Sequence, residues 1–135
     1  MKYVLDTNAV SALMKGEGKL VRQLQRLAPT DVAIPHPVMA EIAYGIERLP
    51  RSKRRDRLRE KLALIATEIG RCAWTDDVSA AFGAIKAKLE MAGTRIEDFD
   101  TAIAAHALAY GAVLVTANTK HMARVDGLAI EDWCK

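Results

Sequence analysis

The 135-residue sequence predicts an α/β domain, a parallel-sheet sandwich with helices on both faces. Three observations predict it. Short apolar runs rich in β-branched residues recur along the chain, and helix-length amphipathic segments separate them. Strands alternating with helices in this way imply right-handed crossovers between parallel neighbours. Half of the residues are apolar, and the length is that of one compact domain, so residues 1–135 are read as one unit with one core.

The first strand spans Lys2 to Leu5 and stops at Asp6, after which the chain turns into a helix capped by Thr7 or Asn8 and ending near Lys15-Gly16. A second helix, Lys19 to Leu27, places Leu20, Leu24 and Leu27 at helical spacing, and Pro29 closes it. Val32-Ala33-Ile34 is a buried strand. Val38, Ile42, Gly45, Ile46 and Leu49 then mark an amphipathic helix with Pro37 in its first turn and Pro50 after its end. A charged helix follows from Ser52 to Ile69, stopped at Gly70. Arg71 to Trp74 is predicted as a strand, and Thr75-Asp76-Asp77 as a cap before a helix from Val78 to Met91. Asp98 or a neighbour caps a helix that reaches Tyr110, with Gly111 past its end. Ala112 to Val115 and Leu128 to Ile130 are the last two strands.

Composition excludes several classes. Cys72 and Cys134 have no disulfide or zinc spacing, so a reducing cytoplasm is expected. No apolar run is long enough to cross a bilayer, and Asp6 interrupts the stretch a signal peptide would need. Nucleophile elbow, Walker loop, zincin histidine pair and dinucleotide fingerprint are all missing. Charge is uneven: Arg48 to Lys61 holds 8 basic and 2 acidic residues, a local +6 in a chain of net charge +3. Such a run is either a solvated helix face or a polyanion-binding surface.

Ligands of open parallel sheets bind beyond the carboxyl ends of the strands. Four polar residues fall there: Asp6 after the first strand, Glu41 one turn into a helix, Asp100 in the first turn of a very apolar helix, and Asn118 after Val113 to Val115. Taken singly, each acid has a plainer use, Asp6 as a helix cap and Glu41 as an ion-pair partner; Asp98 reads as a cap. His36 and His121 read as loop histidines and His106 as a core or interface residue, none with a catalytic role. Together the acids say more. Close carboxylates repel by about 4 kcal/mol per pair at an effective dielectric of about 20, and a hard cation is the usual reason to gather them. Such a cation at a phosphodiester removes the need for a nucleophilic side chain.

With these residues in view, the chain resembles the PIN-domain ribonucleases, and among them the VapC toxins of type II toxin-antitoxin pairs. The resemblance rests on Leu5-Asp6-Thr7-Asn8 with Ser11, on Pro37 to Ile46 around Glu41, on Phe99-Asp100 with Ile103 to Ala107, on Leu114 to His121, and on Val125 to Leu128 with Glu131-Asp132-Trp133. It implies a three-layer α/β/α sandwich and a magnesium- or manganese-dependent endoribonuclease acting on structured RNA, frequently tRNA. It also implies a homodimer and a VapB-like antitoxin that blocks the site. By position, Asp6, Glu41 and Asp100 match the family's metal-binding acids. Asn118 matches a fourth catalytic position that is aspartate in some members, and Met122 replaces a usual phenylalanine. A neutral Asn118 favours one resting metal over two. Arg51, Lys53, Arg54 and Arg55 on the basic helix, with Lys86 and Lys88, are the expected phosphate contacts. Two other readings share these residues, a DNA-directed flap-type nuclease and an inactive RNA- or antitoxin-binding module.

Overall fold

The computed structural model describes residues 1–135. Four short strands, β1 (Tyr3–Leu5), β2 (Val32–Ala33), β3 (Val113–Val115) and β4 (Ile130–Glu131), form one parallel sheet in the order β2-β1-β3-β4. Tyr3 lies opposite Val32 on one side and Val113 on the other, and Leu114 opposite Ile130. The helices are α1 (Thr7–Met14), α2 (Gly18–Gln25), α3 (His36–Glu47), α4 (Lys53–Glu68), α5 (Asp76–Met91), α6 (Asp98–Ala109) and α7 (Thr119–Met122). The chain moves one way across the sheet from β1 to β2 and then reverses to reach β3. Right-handed crossovers therefore distribute the helices over both faces, giving the α/β/α arrangement.

Val4, Leu5, Leu114 and Val115 are fully buried in the middle of the sheet, as an inner strand covered on both faces requires. Helix α6 is the most enclosed helix: every residue from Thr101 to Ala107 is buried. Its alanines, at 102, 104, 105 and 107, let α5 and the sheet approach closely. Beyond α6, Gly111 takes φ +63°, and the Ala112 amide reaches back to the Ala107 carbonyl at 2.9 Å. That pair of features is a Schellman closure, which turns the chain straight into β3. No helix is long and apolar enough to cross a membrane.

Several elements differ from the sequence reading. Arg71 to Trp74 is not a strand; only Gly70 bridges to Ala33, and Ile34 donates to its carbonyl at 2.9 Å. The next residues leave the sheet. Cys72 packs into the core, the Ala73 carbonyl accepts from the Tyr110 hydroxyl, and the Trp74 indole donates to Ser79. The last strand sits at Ile130–Glu131, two residues later than expected at its start, because Leu128 closes a turn on Val125. The short helix α7 and a 3-10 turn at Pro29–Asp31 had no periodicity long enough to announce them. In the first helix the cap is Asp6 itself, not Thr7 or Asn8.

Candidate active site

The strand order creates the crevice. The connection leaving β1 goes to β2 and the one leaving β3 goes to β4 on the opposite side, so the carboxyl ends of these neighbours frame the point where the winding reverses. Asp6 leaves β1 there, its amide donating to the Val115 carbonyl at 3.1 Å. Thr116 leaves β3 beside it, its amide donating to the Glu131 carbonyl at 2.9 Å. Both residues are buried, Asp6 with only 3% of its surface exposed.

Asp6 does two jobs. Its Oδ1 accepts from the Ala9 amide at 2.8 Å, which caps α1, and a carboxylate still has a second oxygen for the crevice. Burial raises its carboxyl above the ordinary aspartate value; the Thr116 hydroxyl and the Ala9 amide pull it back, and the charges of Asp100 and Glu41 push it further up. Because Asp6 takes the cap, Thr7 becomes a helical residue with a free hydroxyl. That hydroxyl donates to Glu41 Oε1 at 2.5 Å.

Helix α3 carries Glu41 and packs on both α1 and α6, which is how a residue 34 positions away from Thr7 comes to touch it. Asp100 is the third residue of α6 and is half-buried. Its carboxyl is also raised, first by burial and then by the charge of Glu41, with His121 acting to lower it and Glu97 to raise it. Each of the three acid pairs is thus felt electrostatically. The five ion pairs of the chain involve Glu47, Asp98 and Asp126, so no cationic side chain within salt-bridge distance neutralises Asp6, Glu41 or Asp100.

A group of unneutralised, partly desolvated carboxylates fits a hard divalent cation. The oxygens are not already drawn into a ready three-ligand cage, since one Glu41 oxygen is held by Thr7. A magnesium-type ion, which keeps several waters and needs only one or two carboxylates, suits such an open donor set. Asn118, the residue before α7, is also at this end of β3. Its amide donates to the Thr116 hydroxyl at 2.8 Å, and its Oδ1 is 2.7 Å from His121 Nδ1.

The expected basic residues divide into two groups. Arg51, Lys53 and Arg54 are exposed and free of ion pairs. Arg55 is largely buried against Glu47, which Arg59 also grips, and Lys86 pairs with Asp98 at 3.2 Å. Asp98 therefore serves α5–α6 packing and does not cap α6, whose preceding residue is Glu97. Lys88 pairs with Asp126. Helix α4 returns the chain to the sheet at Gly70, which lies parallel to β2 opposite Ala33. Its basic first turns lie beside the last residue of α3, where Arg55 and Arg59 meet Glu47.

Sequence reasoning passed over three neighbours of the acids. Thr7 was read only as a possible cap, Thr116 sits one residue past a strand, and His121 was read as a loop histidine. A signal for His121 existed: it follows Asn118 by three residues, the spacing that brings side chains together on a helical turn. His106 is a fully buried core residue, its Nδ1 against the Ala102 carbonyl and its ring edge-on to Trp74.

Comparison with known proteins bears on this arrangement. The PIN-domain family model matches residues 3–128. The chain is 33% identical over 137 residues to Ribonuclease VapC2 of Rickettsia felis, covering 100% of both chains. It is equally 33% identical to the tRNA(fMet)-specific endonuclease VapC of Salmonella typhimurium, covering 99% of each. Among solved structures, DNA-bound VapBC from Salmonella typhimurium superposes with a TM-score of 0.89 at 28% identity, covering 99% of both chains. VapBC2 from Rickettsia felis bound to a DNA fragment from their promoter gives 0.88 at 29% identity, covering 98% of this chain and 99% of that one.

Proposed function

This chain belongs to the PIN-domain family, and from that premise we propose that it is the toxin of a type II toxin-antitoxin pair, a metal-dependent endoribonuclease held silent by a VapB-like antitoxin. The observation that carries this reading is the meeting of Asp6, Glu41 and Asp100 at the mouth of the sheet with no cationic side chain in salt-bridge distance of any of them. Structured RNA is the substrate class, and tRNA is favoured by the relative named as a tRNA(fMet)-specific endonuclease. The chain works in the cytoplasm as a homodimer.

Asp6, Glu41 and Asp100 would hold magnesium, with manganese as the alternative. Bound there, the ion supplies Lewis acidity at the scissile phosphate and a bound water of lowered pKa. Asp6 offers the most fixed oxygens, because its backbone is part of the sheet ladder and its side chain is held by the Ala9 amide. Glu41 is oriented by Thr7, and its remaining oxygen can accept a proton from water. Asn118 is neutral and donates hydrogen bonds to a phosphate oxygen. Arg51, Lys53 and Arg54 position the RNA backbone, with Arg55 and Lys86 contributing once released from their acidic partners.

The test is to incubate the purified chain with total RNA in magnesium, in chelator, and as Asp6→Asn. Cleavage confined to the magnesium lane of the unaltered chain is expected. Cleavage that persists with chelator and in Asp6→Asn would sink the mechanism, and no cleavage in any lane would favour a binding module.

A further inference from the structure

We infer that His121 is a positioning residue: it fixes the carboxamide of Asn118 so that its NH2 group, and not its oxygen, faces an incoming phosphate. The inference rests on the nuclease reading above and adds a residue to it.

His121 Nδ1 lies 2.7 Å from Asn118 Oδ1. An amide oxygen can only accept, so the imidazole nitrogen must carry the proton and donate. The backbone that carries the carboxamide is also anchored, since the Asn118 backbone N–H donates to the Thr116 hydroxyl at 2.8 Å. With the backbone anchored and one face of the oxygen occupied, rotation about the last side-chain bond would break the His121 contact. The Asn118 nitrogen has no hydrogen-bond partner within the chain and is not sealed off from solvent. It is a donor waiting for an acceptor.

The pair faces the acids. The charge of His121 is felt at Asp100, and Thr116, the residue that anchors Asn118, is felt at Asp6. Anionic ligand oxygens brought to the acids by a cation would therefore arrive next to two NH2 protons. An asparagine free to flip would present its oxygen half of the time and repel a phosphate oxygen; the imidazole removes that orientation. His121 does this from an exposed position on α7, so replacing it need not disturb the core.

The experiment compares kcat and KM for RNA cleavage in His121→Phe, His121→Asn, Asn118→Ala and the double variant His121→Phe/Asn118→Ala, with a magnesium titration for each. Phenylalanine keeps the ring and loses the donor, whereas asparagine places an NH2 close to the Nδ1 position. Loss of the contact should lower kcat about tenfold in His121→Phe, leave the magnesium midpoint unchanged, and be largely restored in His121→Asn. The double variant should be no slower than Asn118→Ala alone. A long-range 1H–15N spectrum of the unaltered, metal-free chain should show the neutral His121 ring protonated at Nδ1. Unchanged kcat in His121→Phe, multiplicative losses in the double variant, a shifted magnesium midpoint, or an Nε2-protonated neutral ring would each overturn the role. If the unaltered chain cleaves no RNA, the nuclease reading falls as well; if it cleaves and His121→Phe matches it, only the positioning role falls.

Discussion

At the scale of single residues the site is a local liability to the fold. The carboxyls of Asp6 and Asp100 are raised, so in the window from the ordinary value of 3.8 up to the raised one, the folded chain holds protons that the unfolded chain has lost. The sign follows: their contribution to stability is fully present below pH 3.8 and is lost as pH rises through the raised values. A metal-free melting series should thus show Tm falling through that window relative to Asp100→Asn, and added magnesium should restore Tm above it. At neutral pH, Asp100→Asn should melt higher than the unaltered metal-free chain by about 1 kcal/mol of stability, while its RNA cleavage drops by about a hundredfold or more. A substitution that lost both stability and activity would mean that Asp100 is structural. The acids themselves were legible because aspartate or glutamate at a strand end or beside a buried helix turn stands out against apolar neighbours. Thr7, Thr116 and His121 were not, because a threonine or histidine in such places has several ordinary uses, and only three-dimensional contact separates them.

At the scale of elements, α4 and α6 show opposite uses of a helix. Helix α6 is buried along seven successive residues, and its first turn is the one place where it can display a charge. Helix α4 buries little beyond Ile65 and carries the basic run. Replacing Arg51, Lys53 and Arg54 together by glutamine should leave Tm unchanged and lower kcat/KM. It should also reduce the slope of log kcat/KM against log salt by about 2 to 3, the share of three phosphate contacts on an RNA with paired and unpaired stretches. An unchanged slope would place the RNA elsewhere. Removing Arg55 should behave differently, costing stability because it leaves Glu47 partly unpaired. Helices with caps and long apolar stripes were readable to within a few residues, as Ser52 and Thr75 show by accepting from Arg55 and Val78. Arg71 to Trp74 misled because a run of four apolar or amphipathic residues looks the same whether it pairs with a strand or packs against helices. Tertiary contacts of Cys72 and Trp74 decided the matter.

At the scale of the whole molecule, an alternating succession of strands and helices foretold the parallel sheet, but not the order β2-β1-β3-β4, which depends on long-range pairing. That order has a further consequence in time. The Asp6 and Thr116 amides both donate into the sheet ladder, to Val115 and Glu131, so the floor of the crevice is woven into the element that opens last. Glu41 instead rides on α3, which packs on α1 and α6 without pairing into the sheet ladder, and its carboxylate is tied by the Thr7 hydroxyl. In hydrogen–deuterium exchange, the amides of Asp6 and Thr116 should exchange only through global unfolding, whereas those of α3 around Glu41 should exchange sooner and slow when magnesium is added. Equal protection of both regions without metal would contradict this. Half of the site is then present before any ligand arrives, and the other half is completed by it.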